Sequence, residues 1–145
     1  MNIRSHYQGF SLIELMVTLA IIGIIASVVI PQYGQYVRRA DRSDAIVPMQ
    51  ALLNAQERFF LNNRTYTTNL ADLNVVAADN AAYEVDSYQI TAQQCTDNDG
   101  DPIPLTLCVE LNADSTGSQT DDGDLFMNTM GRSQRVDIDG VAHEL

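Results

Sequence analysis

The chain has 145 residues, 46% of them apolar and 19% charged, enough to bury the core of one domain and too apolar for disorder throughout. Its cations are eight Arg with no Lys against nineteen acids, a net charge of −11 that disfavours a nucleic-acid coat or a general polyanion binder. Two His and two Cys leave little raw material for a multi-Cys/His zinc site or a His-based catalytic centre, so an enzyme is not the expected function.

Residues 10–30 read FSLIELMVTLAIIGIIASVVI, twenty-one residues with one charge, Glu14. At ~1.5 Å per residue that run covers roughly 30 Å, the thickness of a bilayer's hydrocarbon. A secretory signal peptide would have a shorter apolar region followed by a small-x-small cleavage site, and neither is present. The buried helix of a soluble core would show a polar stripe, and there is none. An unpaired carboxylate this deep costs on the order of 2.5 kcal/mol or more. Nothing inside the segment is expected to neutralise Glu14, so its partner must come from another chain, from lipid headgroups or from a cation at the chain's own N-terminus.

Gly9-Phe10-Ser11-Leu12-Ile13-Glu14-Leu15, with a short polar stretch before it and the apolar run after it, closely resembles the processing motif of type IV prepilins and the related type II secretion pseudopilins. The resemblance implies cleavage by a prepilin peptidase after Gly9, on the cytoplasmic side, leaving residues 1–9 as a leader peptide. It implies N-methylation of the new terminus at Phe10, and pairing of Glu14 with the Phe10 amine of a neighbouring subunit during assembly. Electrostatics agrees: cleavage makes a cation at the edge of the apolar run, and a carboxylate one turn along meets it in a neighbour of shifted register. Counting basic residues near the span opposes the implied topology, with Arg4 before it and Arg38, Arg39 and Arg42 after it. The inward N-terminus therefore rests on the resemblance.

Pro31 ends the apolar run and cannot donate to Ser27, while Gly23 and the β-branched residues 28–30 lower helix propensity further. In pilins the helix between the corresponding glycine and proline melts on filament packing, which implies an extensible segment from Gly23 to Pro31 here. Beyond it, Ala45, Ile46, Met49, Leu52, Leu53, Phe59 and Phe60 recur at helical spacing, with Gln56 interrupting and Arg42, Ser43, Asn54 and Arg58 off the stripe. This predicts an amphipathic helix over 31–62 that bends at Pro48 and stops at Asn62-Asn63. The stretches at residues 39–45, 55–60, 66–67 and 70–73 resemble the PilE/ComP-like branch of type IVa pilins, leaning toward a minor subunit.

Residues 32–64 carry five Arg against three acids, net +2, whereas residues 65–145 carry two Arg against fifteen acids, net −13. Strands are expected at 88–92, 105–111, 125–130 and 134–138. In the second, Leu105, Leu107, Val109 and Leu111 alternate and should face the helix. If Cys95 lies opposite Cys108 in a hairpin, Ala92 falls opposite Leu111, apolar faces coincide and both Cys share the other face. A disulfide there would add roughly 3 kcal/mol in an oxidising compartment. In many pilins such a bond bounds a C-terminal loop, so the displaced Cys108 leaves the order of the last strands open. Asp97, Asp99 and Asp101 alternate around a Gly and are calcium candidates, but the distal Glu of an EF-hand is missing and a solvated turn is the preferred reading. No other cofactor is expected.

The fold expected is α+β: a long N-terminal helical spine, its first half membrane-spanning, on a small antiparallel sheet, with residues 63–145 forming the acidic head. The implied function is a structural pilus subunit, made in the inner membrane, acted on by the peptidase and assembly machinery, and polymerised with other pilins outside the cell for adhesion, twitching motility or DNA uptake. Two alternatives stand beside it. One is a competence minor pilin that binds DNA, opposed by the −13 head unless Arg64, Arg132 and Arg135 cluster. The other is a secretion pseudopilin with a calcium-binding head.

Overall fold

The computed structural model describes residues 10–75 and 82–145, residue 31 through its backbone alone; the expected leader lies outside this range. The chain divides into two compact units, Met1–Val37 and Arg38–Leu145. Helix α1, Leu12–Asn63, is continuous through Gly23, Pro31 and Pro48. Each proline forfeits one hydrogen bond, and the flanking turns carry the helix across it. The predicted stop is sound: Asn62 and Asn63 turn their amides back onto the carbonyls of Arg58 and Phe59 at 3.2 and 2.9 Å. Arg64 follows at φ +59°, the left-handed residue that closes a helix C-terminus, its N–H still bonded to the Phe60 carbonyl at 2.8 Å.

Among the described residues six strands follow: β1 (Tyr83–Val85), β2 (Tyr88–Gln94), β3 (Val109–Ser115), β4 (Asp124–Asn128), β5 (Ser133–Val136) and β6 (Ala142–Glu144). They form one antiparallel meander in chain order, so the last strands follow the simplest hairpin connectivity. The β2/β3 register is the expected one, Ala92 opposite Leu111. The second strand, however, starts later than its alternation predicts. Leu105 and Leu107 lie in a turn, with Leu107 exposed, and the buried alternation is carried by Val109, Leu111 and Ala113. Turn hydrogen bonds explain the difference: the Leu107 and Cys108 amides both bond the Pro104 carbonyl, at 2.8 and 3.2 Å, and are not available to a strand ladder. β1 and β6 have three residues each and carry too short a pattern to read from sequence.

The core lies where one stripe of α1, Ala45, Met49, Leu52 and Ala55, meets Tyr88 and Ile90 of β2, Leu111 and Ala113 of β3, and Leu125 and Met127 of β4. Leu70 and Leu73, from the short 3-10 helix after α1, complete it. Gln56, read from sequence as an interruption, is fully buried within the stripe. Its side-chain amide donates to the Thr67 carbonyl at 2.6 Å and its oxygen accepts the Thr67 N–H at 3.1 Å, so both polar ends are satisfied in the interior. It pins the chain that leaves the helix back onto it.

Arg42 is a second correction. It does not fall off the stripe but precedes Ala45 and Met49 on the same face, three and seven residues earlier, and forms a bidentate pair with Asp122 at 2.8 and 2.6 Å. Gln119 is fully buried, and the two N–H groups of its Nε2 are shared among the Arg38 carbonyl at 3.0 Å, the Tyr88 hydroxyl at 2.9 Å and Asp122 Oδ2 at 3.0 Å. Arg135 of β5 donates to the Asp122 carbonyl and stands 3.7 Å from its carboxylate. Burial pushes the Tyr88 phenol above its ordinary value, partly offset by the bond from Gln119.

The next residue, Gly123, sits at φ +93°, and a Cβ there would lie 2.0 Å from the Val136 carbonyl oxygen. Only glycine lets this backbone pass β5. Gly123→Ala should therefore lower the unfolding free energy by more than about 2 kcal/mol, read by circular dichroism of the detergent-solubilised chain. A change within 0.5 kcal/mol, about the size of a neutral surface substitution, would mean that the close approach is not made.

Candidate functional site

The N-terminal unit is defined by what it leaves uncovered. Phe10, Leu12, Ile13, Leu15, Met16, Leu19, Ile22, Ile24, Val28 and Ile30 all expose half or more of their surface. α1 contains an 18-residue window of mean hydropathy 2.6, long and apolar enough to cross a membrane. Polar groups along it are absorbed by the helix: Thr18 Oγ1 donates to the Glu14 and Leu15 carbonyls at 2.7 and 2.9 Å, and Ser27 to the Ile24 carbonyl at 2.7 Å. Glu14 remains the one charged side chain on this surface. Apolar area on this scale is stable only under lipid or against other apolar surface.

As expected from sequence, nothing among the described residues of its own segment neutralises Glu14, but a backbone donor there does meet its carboxylate. Its Oε2 accepts the Ser11 N–H at 2.8 Å, and the Ser11 hydroxyl accepts the Ile13 N–H at 3.4 Å, a capping-box arrangement at the head of α1. The physical reason is that a helix start leaves N–H groups without intrahelical acceptors, and Ser-x-x-Glu places a carboxylate to meet one. No cation pairs with Glu14 among the described residues, so its charge is hydrogen-bonded but not neutralised. Phe10, Glu14, Leu15 and Thr18 line one shallow hollow of about 330 Å³. The structure thus brings Phe10 and Glu14 to one place. Gly9 lies outside the described residues. Gly23 has no atom within 4 Å of where its Cβ would stand, so packing inside the subunit does not require glycine there.

Cys95 and Cys108 are bonded to each other, Cα to Cα 5.7 Å, and both are buried. Between them, Asp97 accepts the N–H groups of Asp99 and Asp101 on Oδ1, each at 2.9 Å, while the Gly100 N–H bonds the Asp97 carbonyl at 3.2 Å. The same five-residue turn recurs twice: Asn128 Oδ1 takes Met130 and Arg132, and Asp137 Oδ1 takes Asp139 and Val141. In all three an Asx residue stands first and a glycine of positive φ fourth, as in a type I turn closed by a left-handed residue. DNDGD, NTMGR and DIDGV share that spacing, a signal legible in the sequence once the Asx and Gly are aligned. Among the described residues no three His, Cys, Asp or Glu side chains converge as metal ligands would. Asp137 also pairs with His143 at 2.9 Å, and that hydrogen bond holds its carboxyl below the usual range.

The three arginines singled out for a basic patch do not stand free together. Arg135 is tied to Asp122, and Arg132 pairs with Glu110 at 3.5 Å. Among the described residues Arg38, Arg39, Arg58 and Arg64 make no ion pair. The residues that sequence reasoning missed are Gln119 and Asp122, with their partner Arg42. The available signal was that positions 42, 45, 49, 52 and 56 share one helical period, with a polar residue at each end of the apolar set.

A long helix with an uncovered apolar first part and a disulfide-closed antiparallel meander on its second is a pilin-like α+β arrangement. Residues 4–30 match the prokaryotic N-terminal methylation motif, and residues 31–125 match the family described as type IV minor pilin ComP, DNA uptake sequence receptor. The chain belongs to this family of type IV pilins. A fimbrial protein of Neisseria meningitidis serogroup B is 33% identical over 97 residues, covering 63% of this chain and 57% of its own. The type IV major pilin PilA of Myxococcus xanthus is 31% identical over 127 residues, covering 68% and 56%. The type II secretion system core protein G of Aeromonas hydrophila is 38% identical over 87 residues, covering 59% and 61%. The chain thus spans a little over half the length of the Neisseria meningitidis fimbrial protein and of PilA.

Reducing the Cys95–Cys108 bond should lower stability by roughly 3 kcal/mol through the loop entropy regained on unfolding. Thermal melts with and without reductant, each checked by thiol alkylation, measure this; an unchanged melt with both thiols alkylated would show that the bond does not constrain the unfolded chain.

Proposed function

We propose that this chain is a structural subunit of a type IV pilus, in the minor-pilin class. It is held in the inner membrane by residues 10–30, cut after Gly9, N-methylated at Phe10 and polymerised through that same apolar rod. The observation that carries the reading is the rod itself: an apolar helical surface, uncovered in the subunit, with Phe10 and Glu14 at one hollow near its start. Bilayer and filament core are two environments that cover it equally well, so transfer between them never exposes it to water. The Ser11–Glu14 bond adds a step to the electrostatics, because Glu14 arrives at assembly already oriented and exchanges a neutral N–H for, or shares it with, a neighbour's cationic terminus. The stretch from Gly23 to Pro31 is the segment that extends in the filament. The acidic head lies in the periplasm and then outside the cell, and protease digestion of spheroplasts should degrade it from that side.

The match to a family described as a DNA uptake sequence receptor favours a second, compatible reading, in which the assembled subunit contacts DNA. The head's excess of acids opposes it, and the cations free to serve are those without ion pairs, Arg58 and Arg64 toward the end of α1 among them. Backbone contacts by a few arginines give binding that weakens steeply as salt rises.

Glu14→Gln should reach the membrane at normal levels and enter filaments several-fold less, and Gly9→Ser should accumulate as unprocessed chain; immunoblots of membrane and sheared-filament fractions read both, and normal filament yield from Glu14→Gln would reject the assembly role. For DNA, a low-salt gel shift with duplex should show binding that Arg58→Ala with Arg64→Ala weakens, and no shift at any salt would reject that reading.

A further inference from the structure

The contacts that hold α1 to the head change in kind along the helix. From Ala45 to Ala55 the contact is apolar, through Ala45, Met49, Leu52 and Ala55, and past it Gln56 and Glu57 bond Thr67 and the Tyr66 hydroxyl, close by in sequence. At the N-terminal edge of the apolar stretch the contact is polar and directional. Gln119 donates to the backbone carbonyl of Arg38, Ser87 donates to Asp41 Oδ2 at 3.3 Å, and Arg42 grips Asp122 with two hydrogen bonds. Three separate parts of the head supply these ties: the β1–β2 turn gives Ser87, the 3-10 helix Gly117–Gln119 gives Gln119, and the segment leading into β4 gives Asp122. Arg135 of β5 bonds the Asp122 carbonyl, so the acceptor is itself braced by the sheet.

We infer that Arg42, Asp122 and Gln119 are positioning residues that fix the axial register of α1 on the head and set the point beyond which the helix cannot unwind. Apolar side chains on a helix can exchange one hole for the next by sliding a turn, about 5.4 Å, at modest cost. A bidentate guanidinium–carboxylate pair has one geometry and does not survive that slide. Gln119 adds a second constraint, because it holds a main-chain carbonyl of the helix instead of a side chain, and so resists local unwinding at Arg38. The clamp therefore stops fraying that starts on its N-terminal side from running into residues 45–55. It acts within one subunit and does not depend on the pilus reading. If that reading holds, the clamp is also where extension of the filament helix ends.

Hydrogen exchange by mass spectrometry on the full chain in detergent micelles tests this without any filament. Arg42→Met keeps most of the side chain's stem and removes the pair, and Asp122→Asn keeps its shape and removes the charge. Each should speed exchange of the amides in residues 38–46 by at least about tenfold while residues 50–60 change little, because local opening is being measured and not global unfolding. Arg42→Lys, which keeps charge without the fork, should fall between. Unchanged exchange at 38–46 in both variants would overturn the proposal, and so would an equal rise along 38–60, which would make the cluster a contributor to general stability with no local role. Should a variant fail to fold, Ser87→Ala and Gln119→Glu measured in the same way carry the same prediction for 38–42, and absence of a local effect in both would overturn it equally.

Discussion

An apolar helix surface that the subunit leaves bare is the constraint from which the rest of this structure follows. Water cannot be its final environment, since residues 10–30 expose apolar side chains on every face. The polar atoms along it are made compatible with a dry surrounding one at a time: Thr18 and Ser27 bond back to the helix, and the Glu14 carboxylate bonds the Ser11 N–H. What remains is one negative charge close to Phe10. Under the proposed function this uncompensated charge orders neighbours along the rod, where purely apolar contact would leave their register loose.

The head answers a different demand, which is to remain folded on a helix that is continuously apolar only at its other end. Among the described residues its core is small, twelve buried apolar residues from α1, the 3-10 helix and three strands, and it is supplemented by a disulfide, by Gln56 stitched to Thr67 and by the Arg42–Asp122 pair. The disulfide and the Gln56–Thr67 bonds close short loops, 13 and 11 residues in separation, and the Arg42–Asp122 pair joins residues 80 apart. A small core needs such supplements, since area burial alone scarcely offsets the conformational entropy of a domain of this size.

Much of this was legible from residues alone, for definable reasons. The rod is written in composition, Glu14 in its isolation, and the β2/β3 register in the coincidence of cysteine spacing with apolar alternation. What was not legible depends on a local turn in one place and on contacts across the chain in the others. Leu105 and Leu107 continue the alternation of Val109 and Leu111, yet a turn held by the Pro104 carbonyl removes them from the strand. Gln56 reads as a break in an apolar stripe and Arg42 as a residue off it, because no periodicity rule says that the backbone of Thr67 or the carboxylate of Asp122 will be there to meet them. β1 and β6, at three residues each, exist as strands only by virtue of the neighbour each pairs with.

The three Asx-Gly turns close on their own main chain, through the side chain of the first residue and the left-handed fourth. The second and third residues of each, Asn98 and Asp99, Thr129 and Met130, Ile138 and Asp139, contribute backbone geometry and no side-chain bond to it. Thr129 keeps a duty to the scaffold, its hydroxyl accepting the Val109 N–H at 3.2 Å; the other five positions are released from one, and there the tips of these hairpins can be rewritten in charge, size or polarity while the strands behind them hold still. Sequence can diversify at those tips with little loss of foldability.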